Sequence, residues 1–381
     1  MPDSPDTGSP AGSPASGTGQ RLVLVAGAGR SGTSTVAGIL RRLGLHVPQP
    51  EVVSDSTNPR GFGEPQWVVD FHDDLLEHAR VQVSDARPVA WEKAGVFADR
   101  PGARGKLGRW LEGELSGADQ LLVKDPRLAW FLPLWTAAAR HHGAAPSYLT
   151  MLRPPAEVVG SKRTYYNDRL QDAHGVAAWL NMMVGTERAT RDGERTFVRY
   201  HDLLDAWEPV VTRAMADLGA RHEPVDVTLR ADVDAFVDPG LRRIQLTWDD
   251  LDLPDRLGTL ARDAWSALDA LADDPRDAAA VATLDRVHDE YADYYAECEE
   301  VSRSTVIAVR AARPDKPGNK HRRPGVAAGS PAPAATEPPT AREAGRALAV
   351  AVARRLPRPV RRLLPRSARE RLLARSALPR D

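Results

Sequence analysis

The sequence predicts an α/β protein in three layers, a P-loop-like parallel sheet with helices on both faces. Three observations carry that expectation. Short apolar runs recur at 22–25, 120–123, 146–152 and 196–199. Between them, apolar residues return at helical spacing. Each run also ends in a glycine-rich or charged cluster, on the side of the sheet where α/β proteins bind ligands.

The first run, Leu22-Val23-Leu24-Val25, reads as a strand buried on both faces. The loop Ala26-Gly27-Ala28-Gly29-Arg30-Ser31-Gly32-Thr33-Ser34 follows. Val36, Ile39, Leu40 and Leu43 then place a helix from about Thr33. Strand, glycine loop and helix N-terminus together aim backbone N–H groups at an anion. Gly27, Gly29 and Gly32 let the backbone approach phosphate oxygens, Arg30 adds charge, and Ser31, Thr33 and Ser34 add hydroxyls. Gly27 and Gly32 have the P-loop spacing and Ser34 takes its hydroxyl position, but Thr33 stands in place of the lysine. That argues against a Mg²⁺-dependent ATP- or GTP-using phosphotransferase, which remains the first alternative.

The rest of the chain follows in order. Turn-forming residues make 45–66 a loop, containing Asn58-Pro59-Arg60-Gly61-Phe62-Gly63-Glu64-Pro65. A helix is expected over roughly 65–80 with Pro65 at its first position. Glu64 then reads, by itself, as a favourable charge at a helix start. A short strand is expected at 88–91 and a helix at 103–117. The strand at 120–123 runs into Lys124-Asp125-Pro126-Arg127, either a ligand-facing cluster or a solvated turn with an Asp–Arg pair. A helix over 128–142 leads to the strand at 146–152, Arg153 at its end, and a proline-initiated helix carrying Ser161. A helix near 174–191, a fourth strand and a helix opening at Tyr200-His201-Asp202 come next. Residues 221–250 read as irregular, with helices at 254–272 and 276–300.

Composition sets the domain organisation. Residues 1–20, rich in Pro, Ser and Gly, read as a disordered arm, and 21–312 as the α/β domain. Residues 313–340 read as a linker, and 341–381 as a basic, partly helical tail. From 301 on, 19 Lys and Arg face 5 Asp and Glu, a net +14; since the whole chain is −1, residues 1–300 carry −15. The tail is expected to be solvated or to touch an anionic membrane surface; no specific nucleic-acid partner is expected. A lone cysteine and the lack of a long apolar run point to a cytoplasmic, at most membrane-peripheral, protein.

Four segments resemble the PAPS-dependent sulfotransferase family. Gly27 to Ser34 (GAGRSGTS) resembles its 5′-phosphosulfate loop, and Leu152 to Ser161 (LRPPAEVVGS) its 3′-phosphate site, which maps to Arg153 and Ser161. Val123 to Arg127 resembles its mid-fold strand end. Val198 to Leu204 resembles its Tyr-Glu-Asp-Leu segment, with His201 in place of Glu and Tyr200 near the adenine. The resemblance implies PAPS as co-substrate, no metal, and sulfuryl transfer to a hydroxylated acceptor, a carbohydrate or other metabolite. It gives Arg30 and Lys124 the task of stabilising the transferring group, and Glu64 that of general base. Asp125 is the rival base, with His72 and His201 behind it. Arg242, in Leu241-Arg242-Arg243, is assigned to cover the nucleotide, although the family's Arg-Lys-Gly signature is missing. A non-catalytic scaffold with a lipid- or nucleic-acid-binding basic tail is the second alternative.

Overall fold

The computed structural model describes residues 19–55, 58, 60–165, 171–237, 240 and 244–311. Arg242, the N-terminal arm through residue 18, the linker and the basic tail lie outside the described residues.

Four strands, β1 (Arg21–Ala26), β2 (Gln120–Lys124), β3 (Ala145–Leu152) and β4 (Glu194–Arg199), form one parallel sheet in the order β2-β1-β3-β4. Alternation along β1 feeds two cores. Leu22 and Leu24 enter one apolar cluster with Leu121, Val123, Tyr148 and Leu152. Val23 and Val25 enter the other, with Leu122, Leu149 and Met151. A strand hydrophobic at every position is what two covered faces demand. On the second face lie α1 (Thr33–Arg42), α8 (Tyr200–Asp205), α9 (Trp207–Asp217) and α10 (Val227–Phe236). The first face packs α2 (Gln66–Ala79), α3 (Ala90–Ala98), α4 (Pro101–Leu115), α5 (Leu132–His141), α7 (Asp172–Thr190), α11 (Asp255–Leu271) and α12 (Ala278–Ala311). Helix α6 (Pro155–Tyr165) follows β3 directly, and its Val158 and Val159 join the first core. Beside β2, His46 forms a parallel bridge with Leu121, its carbonyl accepting from Leu122 N at 2.8 Å, so the chain leaving α1 covers that edge.

Several elements differ from expectation. Residues 88–91 are not a strand; Ala90 opens α3, whose buried Ala90, Ala94 and Ala98 recur every fourth residue and pack one helix face. Pro65 precedes α2 in an extended conformation and is not its first helical residue. The helix expected over 128–142 begins as a 3₁₀ segment, Pro126–Phe131, in which Asp125 accepts from Arg127 N. A break at Ala206 (φ −152°) separates α8 from α9. Within the stretch read as irregular, α10 is started by Asp226, whose side chain accepts from Leu229 N.

Candidate functional site

The carboxyl ends of β1, β2 and β3 open onto one cavity of about 170 Å³. Gly29, Arg30, Gly32, Thr33, Ser34, Glu64, Lys124, Arg153, Ser161 and Tyr200 all line it. Ten residues singled out in the sequence therefore converge, from segments as far apart as Gly29 and Tyr200. Gly27 and Ser31 shape the loop from below: Ser31 is buried and its Oγ donates to the Ala28 carbonyl at 2.6 Å.

Gly32 sits at φ +93°, and a Cβ there would meet the Tyr200 ring at 2.2 Å. Only glycine permits both the left-handed turn and the ring's approach. Arg30, unlike its neighbours, adopts a positive φ (75°) with a side chain to accommodate, a conformation that non-glycine residues seldom adopt.

The sheet order separates the cations. Strands β2 and β3 flank β1, so the residues ending them stand about 10 Å apart, two strand spacings. After β2, Lys124 donates to Ser34 Oγ (3.1 Å), the Phe62 carbonyl (3.1 Å) and Glu64 Oε1 (2.5 Å), one acceptor for each ammonium hydrogen. Beyond β3, Arg153 donates Nη1 to the Arg30 carbonyl (3.0 Å) and Nε to Glu157 (2.9 Å), and its guanidinium lies 4.8 Å from the Tyr200 ring centroid. Its Nη2 is buried without a hydrogen-bond partner among the described residues. Arg30 turns toward this second group: Nε donates to Ser161 Oγ (3.0 Å) and the guanidinium stacks on Tyr165 at 4.4 Å. Of the two cations expected at the transferring group, only Lys124 stands beside Glu64.

Glu64 is held by its own loop. Val52 N donates to the Glu64 carbonyl and Gln66 N to the Pro50 carbonyl, both at 2.8 Å, so the chain folds back on itself there. Gly63 (φ +66°) lets the loop press on α1, where its Cβ would meet Ala37 at 3.2 Å. Glu64 is only 6% exposed. Burial pushes its carboxyl above the ordinary glutamate range, although Lys124 pulls the other way. It is thus more than a helix-start charge.

Asp125 behaves oppositely. Its carboxylate is buried away from the cavity, accepting from Arg127 N (3.0 Å) and Nη1 (2.9 Å), with His72 Nδ1 at 2.7 Å. Trp135 Nε1 lies 2.8 Å from His72 Nε2. An indole N–H can only donate, so Nε2 accepts and Nδ1 carries the proton that bonds Asp125. Burial alone would raise the Asp125 carboxyl, but the His72 hydrogen bond and the Arg127 guanidinium outweigh it and hold it below the usual range. Neither Asp125 nor His72 lines the cavity, and the solvated-turn reading fails too, since Asp125 is 1% exposed. His201 is engaged with Glu157 at 3.1 Å. The sequence reading did not single out Glu157, a buried carboxylate one helical turn after Arg153; that i, i+4 spacing was the available signal.

An α/β sheet ending in two separated cationic clusters, with a buried carboxylate beside one of them, is the class of site that fold and geometry define. No protein-family model matches the chain, and no curated protein does. Among solved structures, the chain is similar to the sulfotransferase domain of the Synechococcus PCC 7002 olefin synthase (14% identity, 65% of this chain and 95% of that one, TM-score 0.37). It is also similar to sulfotransferase STF1 of Mycobacterium tuberculosis H37Rv (14%, 65% and 77%, 0.36). A third is the sulfotransferase domain of the curacin biosynthetic pathway (14%, 65% and 98%, 0.36). Likenesses this distant say nothing of chemistry, which is argued from the site alone.

Proposed function

We propose that this protein is a sulfotransferase that moves a sulfuryl group from PAPS to an acceptor hydroxyl. The observation that carries the reading is the pair of cationic cradles on either side of β1, one of which leaves the buried Nη2 of Arg153 unbonded among the described residues. A buried guanidinium nitrogen without an acceptor is costly, and an anion at Arg153 relieves that cost. A dinucleotide-like ligand with two separate anionic ends suits this spacing better than a linear triphosphate does.

Under this reading Arg153, Ser161 and Arg30 hold the 3′-phosphate, and Tyr200 offers its ring to the adenine. The N-terminus of α1, with Gly32, Thr33 and Ser34, faces the 5′ end. PAPS supplies the activated sulfuryl group. Glu64 takes the proton of the acceptor hydroxyl, and its raised pKa makes it the stronger base. Lys124 stabilises charge developing beside Ser34; donors of this kind contribute about 3–4 kcal/mol in enclosed sites. Loop 45–66, which carries Glu64, Phe62 and Arg60 into the cavity, borders the acceptor, and a carbohydrate or other hydroxylated metabolite is the class favoured. The basic tail is proposed to rest on an anionic membrane surface and to take no part in the chemistry.

Thermal melting with PAP, PAPS or ATP–Mg²⁺ tests the assignment. A ligand at about a hundred times its Kd stabilises by about 2.7 kcal/mol. Shifts with PAP and PAPS that shrink in Arg153→Ala are the expected result. A shift with ATP–Mg²⁺ alone would restore a phosphotransferase, and no shift at all a scaffold.

A further inference from the structure

Behind Arg153 stands a second row of charge that the proposed reaction does not use. Glu157, on α6, receives Arg153 Nε at 2.9 Å on one side and faces His201 Nε2 at 3.1 Å on the other. The Arg153 and Glu157 side chains are 6% and 5% exposed, while His201 is 24% exposed and open to proton exchange.

With a neutral imidazole, the Arg153–Glu157–His201 row carries no net charge. An anion arriving at Arg153 then meets a guanidinium whose field is largely cancelled one helical turn away. With His201 protonated the row carries +1, and the carboxylate is shared between two cations. We propose that Glu157 and His201 are positioning residues that link anion binding at Arg153 to protonation of His201, so that the 3′-phosphate binds more tightly to the protonated form. The inference rests on the sulfotransferase reading for the identity of that anion. Linkage requires the converse too: bound anion favours the proton on His201.

No other charged group within the described residues bonds this row. From the glycine loop, Arg30 presents its carbonyl to Arg153. Arg199, at the end of β4, is turned into Asp269 of α11 and Asp273 in the turn after it, and Asp202 of α8 lies 3.7 Å from that same arginine. Tyr200 lies against both Arg153 and His201 with its ring, at 4.8 and 6.2 Å. Burial opposes ionisation of Glu157, yet the hydrogen bonds from His201 and Arg153 outweigh it and keep the carboxyl below its ordinary range, so Glu157 stays charged.

Calorimetric Kd values for PAP at pH 6 and pH 8, in the wild type and in His201→Gln, test the linkage. The two phosphates of PAP themselves each gain a proton at about pH 6, which weakens binding, so the quantity read is the ratio of the two proteins' affinities. That ratio is expected near unity at pH 8 and to favour the wild type about tenfold at pH 6. Adenosine 5′-phosphosulfate, which lacks the 3′-phosphate, should show the same ratio at both pH values. Glu157→Gln provides a second variant, expected to keep high PAP affinity at pH 8. PAP binding with a ratio unchanged between pH 6 and pH 8 overturns the linkage and leaves the sulfotransferase reading standing. Failure of the wild type to bind PAP at either pH overturns both.

Discussion

Lys124 and Asp125 are neighbours in sequence and opposites in role. The chain is still extended at Asp125 (φ −160°, ψ 135°), so consecutive side chains leave on opposite sides. Lys124 enters the cavity and meets Glu64; Asp125 enters the interior and meets His72 and Arg127. Both sites bury charge, but one keeps it beside space for a ligand and the other surrounds it with fixed donors. A buried ion therefore marks function only when its surroundings leave room for a reaction.

Four predictions break or sharpen this contrast. Glu64→Gln should lower kcat by about 10²–10⁴-fold, the worth of a positioned base, with PAP affinity retained; a loss confined to KM for PAPS would place Glu64 elsewhere. Asp125→Ala should cost about 3–5 kcal/mol in denaturant unfolding, because it strands the donors of His72 and Arg127. The folded fraction should keep its kcat, and a kcat collapse without destabilisation would reverse the two roles. Gly32→Ala should weaken PAP binding about tenfold, or about 1.4 kcal/mol, as Tyr200 is displaced; unchanged affinity in a titration would show that the ring takes no part.

The fourth prediction concerns pH. Glu64 must be ionised to act as base, so kcat/KM should rise with pH through an apparent pKa above the ordinary glutamate range. In stability the two carboxyls have opposite signs. The raised pKa of Glu64 gives a contribution present below the ordinary glutamate pKa and lost as pH rises through its folded value. The lowered pKa of Asp125 gives one present above the ordinary aspartate pKa and lost as pH falls through its folded value. Unfolding free energies of Glu64→Gln and Asp125→Asn against pH should diverge from wild type in these opposite directions; parallel curves would refute the contrast.

Much of this was legible in the sequence because it is local. The strand runs, the glycine loop and the proline-started α6 are written in consecutive residues, and topology then brought their polar ends together. What escaped was non-local. The role of Asp125 depends on His72, which bonds it, and on Trp135, which bonds the far side of that imidazole; the three come together only in the folded chain. Arg30 is aimed by Ser161 and Tyr165, more than 130 positions away. Helix α3 was misread because its apolar opening, Val89 to Trp91, is short; the recurrence of Ala90, Ala94 and Ala98 was the better signal. At α10, the capping Asp226 was the clue.

The central claim is that two separated cradles select a nucleotide with a distinct 3′-phosphate. Calorimetric titration of the wild type and Arg153→Ala with PAP and with adenosine 5′-monophosphate tests it most directly. The wild type should bind PAP at least about a hundredfold more tightly, and Arg153→Ala should erase most of that preference, a difference of about 2.8 kcal/mol. Equal affinity of the wild type for the two nucleotides would contradict the account.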